Sequence, residues 1–193
     1  RIVDLPHDWS IEDLPDQKED SVRGPFSKSS PGKMMTGFTV GGTGWYRKSF
    51  TINPNDVNKI IYLQFDGIYM NADVWVNGKH LGYHPNGYTS FYYNITSYLN
   101  PGGQPNIIAI RVRNEGKNAR WYSGSGIYRH VWLTMVNPIH VGMWGMYITT
   151  PVVTEKSAEV NIATTLINST KENTSVTVQT QLFDPSGKLV GTA

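Results

Sequence analysis

An all-β protein is what this sequence predicts, and three observations carry that reading. Apolar and polar residues alternate with period two over short runs, the pattern of strands with one buried face. Gly, Pro, Asn and Asp clusters interrupt those runs at short intervals. The composition holds 19 Gly, 11 Pro, 11 Tyr and 6 Trp, with β-branched residues common. Amphipathic helical stretches are confined to Ile11 to Leu14 and Ile95 to Leu99, where Thr96 is placed to cap one turn.

The strands follow in order. Gly44 to Ile52 alternates, with Tyr46, Lys48, Phe50 and Ile52 on one face, and Asn53-Pro-Asn-Asp56 ends it. Ile60 to Phe65 stops at Asp66-Gly67. Asp73 to Val76 meets Asn77-Gly78 and continues as Lys79 to Tyr83. Asn-Gly between alternating runs predicts a hairpin, because both residues tolerate the positive φ of a type I′ turn. Tyr88 to Tyr93 reads as another strand, and Asn106 to Asn114 as one with Ile108, Ile110 and Val112 inward. Ile127 to Val136 closes the series. Strands this dense, with no parallel crossovers, predict a jelly-roll antiparallel sandwich over residues 1–138.

Composition shifts after Asn137-Pro138. Trp, Tyr and Gly thin out, and Thr, Val, Ser and Asn dominate. Ile139 to Thr149, Ala158 to Asn168, Thr174 to Asp184 and Lys188 onward read as the early strands of an immunoglobulin-like sandwich. That fold takes about seven strands and about 100 residues, so residues 139–193 are expected to form an incomplete second domain. It would expose apolar side chains and an open edge, and is expected either to pair with another copy or to be poorly ordered.

Simple bounds exclude several functions. With 17 basic and 15 acidic residues, the formal charge of +2 offers no nucleic-acid or membrane patch. Cysteine is absent, which removes disulfides and thiolate metal sites. No apolar run approaches the roughly 20 residues of a membrane span. The sequence opens on Arg1 without an initiator Met and reads as trimmed from something longer; a periplasmic or secreted location is favoured, with the cytoplasm open. The five histidines lie in no zinc-ligand spacing, so no metal site or cofactor is expected. Gly41-Gly-Thr-Gly44 lacks the Lys-Ser/Thr of a phosphate loop and reads as a tight strand entry. Asn94, Asn168 and Asn173 open glycosylation patterns of the kind chance produces.

The most informative stretch is Trp121-Tyr-Ser-Gly-Ser-Gly-Ile-Tyr-Arg-His-Val-Trp-Leu133. A turn with Gly124 and Gly126 carries aromatics on its entry side. Glycine permits positive φ and close backbone approach, so the turn can lift Trp121 and Tyr122 toward a ligand or another domain. An aromatic at such a tip can stack on the C–H face of a pyranose while polar neighbours bond its hydroxyls. The alternative is a loop whose aromatics cap the core. Most carboxylates, Asp56, Asp66, Asp73 and Asp184 among them, adjoin Asn, Gly or Pro and read as turn chemistry. Asp8, between His7 and Trp9, reads either as half of an acid/base couple or, preferably, as an anchor of the N-terminal segment.

Leu5-Pro-His-Asp-Trp-Ser10, Gly44-Trp-Tyr-Arg-Lys-Ser-Phe50, Phe65-Asp-Gly67, Val74-Trp-Val-Asn-Gly78, Gly82-Tyr-His84, Gly87-Tyr88 and Ser125-Gly-Ile-Tyr-Arg-His-Val131 occur in that order. Together they resemble the N-terminal sugar-binding domain of glycoside hydrolase family 2, nearest to bacterial β-galactosidases, over about residues 2–138. The resemblance implies a galactose-binding-like jelly roll, then an immunoglobulin-like domain, then a catalytic (β/α)₈ barrel. It also implies a parent that is a retaining exo-glycosidase. A barrel takes about 250 residues, and retaining chemistry needs two carboxyl groups about 5 Å apart, so this stretch alone is expected to be non-catalytic. In the family, the loop before the Ser-Gly-Ile strand helps shape the subsite for the terminal sugar. Asn118, Arg120 and Trp121 are therefore the expected substrate-binding residues. Many members carry Asp where this sequence has Arg120. An Arg offers five donors but cannot ligate a cation, which puts a family-style sodium contact in doubt. The expected ligand is a β-galactoside, bound in company with the missing barrel. The alternative is an autonomous carbohydrate-binding module.

Overall fold

The computed structural model describes residues 1–12, 26–117 and 121–193. They form two compact units, Arg1–Pro138 and Ile139–Ala193. The first holds seven strands: β1 (Gly42–Thr51), β2 (Ile60–Phe65), β3 (Ala72–Val76), β4 (Lys79–His84), β5 (Phe91–Asn94), β6 (Pro105–Asn114) and β7 (Val131–Val136). They make a four-stranded sheet ordered β1-β6-β3-β4 and a three-stranded sheet ordered β5-β2-β7. Every pairing is antiparallel.

Alternation decides which side chains enter the core. Ile61, Leu63 and Phe65 of β2 meet Val74 and Val76 of β3 and Ile108, Ile110 and Val112 of β6, joined by Ile68, Ile95 and Ile127. Fully burying each such side chain contributes about 1.5–3 kcal/mol, and this cluster supplies most of the drive to close the sandwich. His84 of β4 stacks on Phe91 of β5, with ring centroids 4.0 Å apart, and ties the sheets together along one edge.

The β3–β4 hairpin turns at Asn77 and Gly78, with φ of 49° and 77°, the conformation that Asn-Gly favours. Asn77 also reaches across the fold. Its amide donates to the Tyr98 carbonyl and to Asn106 Oδ1, both at 2.8 Å, and its Oδ1 accepts from the Ile107 N–H. The turn is thus tied to the start of β6 as well as closed on itself.

Several strands are shorter than their sequence patterns. The expected strand from Tyr88 begins only at Phe91, because Asn86 Oδ1 accepts the N–H groups of Tyr88 and Thr89 and holds a turn there. The strand expected from Ile127 begins at Val131; upstream of it, Gly126 forms an isolated bridge with Tyr69. Thr96 does not cap its single 3₁₀ turn. Asn94 Oδ1 takes the Thr96 N–H instead, and the Thr96 hydroxyl accepts from the Ile61 N–H.

Asp73 corrects the turn-chemistry reading. It lies inside β3 with its side chain only 8% exposed, and its carboxylate meets Arg111, Arg113 and His80 on the outer face of the four-stranded sheet. Arg111 donates through Nε at 3.3 Å and Nη2 at 2.8 Å, and His80 Nε2 lies at 3.1 Å. Burial raises the Asp73 pKa, but hydrogen bonds from Arg111 and His80 and the charges of Arg111 and Arg113 outweigh it and hold the group below its usual range. Asp184, by contrast, is in a turn, accepting from the N–H groups of Ser186 and Lys188.

The second unit contains β8 (Ile139–Val153), β9 (Ala158–Asn168), β10 (Gln181–Phe183) and β11 (Leu189–Thr192), paired as two antiparallel ribbons. The run expected from Thr174 to Asp184 yields only β10. Register shifts interrupt the β8–β9 ladder between Val141 and Met146 and between Thr149 and Val152. Trp144, Met146, Tyr147, Ile148 and Val153 are all exposed, and the buried core cluster includes no described residue of this unit.

The Asp73 network makes a stability prediction with a definite sign. A carboxyl whose folded pKa is depressed contributes stability above its unfolded value, near 3.9, and loses it as pH falls through the folded value. Asp73→Ala should lower unfolding free energy at pH 7 by about 2 kcal/mol, less than a fully buried pair because both arginines are partly solvated. Denaturant titrations at pH 7 and pH 3 should show this loss shrinking at the lower pH; an equal loss at both would remove the ionic contribution.

Candidate functional site

The glycine-rich turn is built from the N-terminal segment upward. His7 N–H donates to the Ile127 carbonyl at 2.8 Å, and Trp9 N–H to the Ser125 carbonyl at 3.0 Å, so the two segments run together. Asp8 locks them. Its Oδ1 accepts from the N–H groups of Ser10 (2.8 Å) and Ser125 (2.7 Å), and its Oδ2 accepts from the Tyr122 hydroxyl. Behind the carboxylate lies the fully buried Ser125, whose hydroxyl accepts from Ser10 Oγ at 2.6 Å and Asn114 Nδ2 at 2.7 Å. Asn114 also donates to the Gly124 carbonyl at 2.8 Å.

This packing requires the two glycines. Gly124 and Gly126 have φ of 68° and 128°. A Cβ on Gly124 would sit 2.7 Å from Asp8 Oδ2, and one on Gly126 only 2.6 Å from the His7 carbonyl oxygen. The segment bearing Gly37 backs the turn equally closely, since a Cβ there would lie 2.7 Å from the Tyr122 nitrogen. Sequence patterns did not single out that segment.

Trp121 emerges from this frame 71% exposed, with Tyr122 beside it half-buried at its hydroxyl end against Asp8. Burial, reinforced by the Asp8 carboxylate, raises the Tyr122 hydroxyl well above its ordinary range, so it stays a donor. Asn118 and Arg120 lie outside the described residues. Of the three expected contacts, the structure therefore describes the placement of Trp121 alone.

His7 and Asp8 do not form a couple. The His7 ring sits between the Tyr46 hydroxyl at 2.7 Å and Glu12 Oε1 at 2.9 Å, while Asp8 is spent on the turn. Burial pushes Tyr46 up to about 12. Burial also raises Glu12, but the hydrogen bonds from His7 and Arg1 prevail and lower it. Trp9 completes the frame: its ring fills the space where Gly44 lacks a side chain, with a Cβ there 2.4 Å from the indole. The anchoring reading of Asp8 is thus what the geometry supports, and among the described residues no group of three or more His, Asp and Glu is arranged to hold a metal.

Removing the anchor should release the rim. Asp8→Ala leaves two N–H groups and a phenol without their acceptor, at about 1–3 kcal/mol for each buried donor left unpaired. Amide exchange at Ser125 should accelerate strongly while β2 and β6 amides exchange as before; unchanged protection at Ser125 would show that the glycine turn holds itself.

Three comparisons bear on this arrangement. A family model described as "Glycosyl hydrolases family 2, sugar binding domain" matches residues 3–138. A β-galactosidase of Bacteroides ovatus is 49% identical over 191 residues, spanning 98% of this chain and 21% of that protein. A putative β-glucuronidase of Formosa agariphila is 37% identical over 192 residues, covering 99% of the chain and 17% of its own length. Among solved structures, a glycosyl hydrolase family 2 member from Bacteroides cellulosilyticus superposes with a TM-score of 0.88 at 47% identity, over the whole chain and 24% of its own. A β-glycosidase from Bacteroides vulgatus gives a TM-score of 0.81 at 36% identity, over the whole chain and 23% of its own. The chain thus spans less than a quarter of the length of each of these proteins. With the sandwich, the glycine turn and the matched residues in agreement, the chain belongs to glycoside hydrolase family 2, and its first unit is that family's sugar-binding domain.

Proposed function

We propose that this chain is a non-catalytic sugar-binding and structural part of a longer β-galactosidase, whose first unit presents the Trp121 rim to a saccharide pocket completed by further protein. The observation that carries this reading is an exposed indole at the entry of a hydrogen-bonded glycine turn. Asp8 and Asn114 hold that turn at Gly124 and Ser125. An exposed indole offers a sugar face apolar contact. Arg120 and Asn118 are proposed to add polar contacts to hydroxyls beside it. The galactoside preference leans on the 49% identity to the Bacteroides ovatus β-galactosidase. No turnover is proposed for this chain by itself, since the two carboxylates of the turn already have partners. Asp8 accepts three donors and Glu12 meets Arg1 and His7, which leaves neither free as an acid or a nucleophile.

The second unit is proposed to be the opening strands of an immunoglobulin-like sandwich. Its exposed Tyr147, Ile148 and Val153 are of the kind that an opposing sheet covers.

Two measurements test these readings. In the full-length enzyme, Trp121→Ala and Arg120→Ala should each lower kcat/KM for a β-galactoside about tenfold, on the order of 1.4 kcal/mol; unchanged kinetics would remove either residue from the subsite. The chain by itself should self-associate through the second unit, giving a concentration-dependent elution volume, whereas a monomer stable to dilution would count against that pairing.

A further inference from the structure

The outer face of the four-stranded sheet should be the bland, solvated side of the sandwich. It is not. Trp45 of β1 and Trp75 of β3 flank β6, opposite Arg111 and Ala109 respectively, and their ring centroids are 5.3 Å apart. The Arg111 guanidinium lies 5.8 Å from the Trp45 ring centre and 5.7 Å from that of Trp75. Asp73 fixes that guanidinium through two of its nitrogens. Trp45 remains 60% exposed, so this rigid assembly keeps an open aromatic face.

Two residues further along β6, about 7 Å at strand spacing, stands Arg113. It stacks over the Tyr83 ring at 5.8 Å. Its Nη2 is 3.5 Å from Asp73, longer than a charge-assisted hydrogen bond. Its Nε is buried with no hydrogen-bond partner. Arg111 already occupies the facing Asp73 oxygen, and although Nε is shut away from solvent, the Arg113 side chain is 39% exposed, so its charge remains accessible at the outer end of the guanidinium. Charge on the face points the same way. Arg47, Arg111 and Arg113 outnumber Asp73 and Glu115, which is itself engaged by Thr43.

We infer that this face is a binding platform for an acidic glycan, with one sugar ring stacked on Trp45 and the carboxylate of a neighbouring uronate taken by Arg113. Stacked aromatics select the apolar face of a pyranose, and a planar guanidinium matches a carboxylate with two parallel N–H bonds. Thr43, Ser49 and Arg47 border the rings on β1, a polar margin suited to hydroxyls. A protein contact of the same composition would be ringed by groups that exclude water. No residue of the platform belongs to the Trp121 turn, so the two surfaces fail or stand separately.

Isothermal titration of the 193-residue chain with hyaluronan and oligogalacturonide oligomers, against neutral galacto-oligosaccharides of equal length, tests the platform. Both acidic probes should bind at least tenfold more tightly than the neutral one, and more weakly as salt is raised. Trp45→Ala and Arg113→Gln should each reduce that affinity at least tenfold. Arg113→Lys, which keeps the charge but not the fork, should fall between, and Trp121→Ala should bind as the parent does. Thermal melts matching the parent's establish that the variants fold. No heat with either acidic probe at millimolar concentration would overturn the inference. So would equal affinity for the neutral sugar, or loss on Trp121→Ala with Trp45→Ala intact.

Discussion

A single carboxylate sets the geometry on which the rim depends. Asp8 receives hydrogen bonds from Ser10, Tyr122 and Ser125, joining the first residues of the chain to a turn more than a hundred residues later. Bonds to an ionised acceptor are about twice as strong as neutral ones, and each buried donor left unpaired costs about 1–3 kcal/mol. The turn therefore has one low-energy position against the N-terminal segment. Its glycines follow from that position, because the space a Cβ would need is occupied by Asp8 and by the His7 carbonyl.

The N-terminal segment must in turn be fixed to the sandwich. Trp9 packs where Gly44 leaves room on β1, and the Ser10 hydroxyl reaches the Val40 carbonyl at 3.2 Å. His7 bonds Tyr46, whose ring packs against the hydrophobic core. A line of ordinary contacts thus runs from the buried strands through Tyr46, His7 and Asp8 to Tyr122, the residue after Trp121. The glycine turn thereby takes its position from the core rather than from its own local sequence.

Most of the sandwich was legible because one face of each sheet is buried, and burial imprints period two on the sequence. β2 was read to the residue, and the Asn77-Gly78 turn from its dipeptide alone. The departures are tertiary. Asp73 opens a strand in the sequence pattern, but its carboxylate looks like turn chemistry; the ion pairs it makes instead come from two arginines on β6, distant in sequence. The run before Phe91 alternates properly but is captured by the Asn86 side chain, and the run before Val131 by a bridge to Tyr69. At the rim, the glycines and Trp121 were visible in sequence. The contacts His7–Tyr46 and Gly37–Tyr122 were not, because nothing local marks residues that meet only when distant segments fold together. Asn118 and Arg120 lie outside the described residues, so their part in the rim rests on the family resemblance.

The two units show opposite ways of handling apolar surface. In the first, two sheets face each other and the alternating side chains of β2, β3 and β6 find partners. In the second, two-stranded ribbons carry Met146, Tyr147 and Ile148 exposed. An isolated ribbon is marginally stable in water, because its ladder bonds only replace bonds to solvent and its side chains have nothing to pack against. The difference follows from layer count: the first unit fixes its glycine turn and its outer sheet face on a closed two-layer core, while the second leaves exposed the side chains that a facing sheet buries in a sandwich.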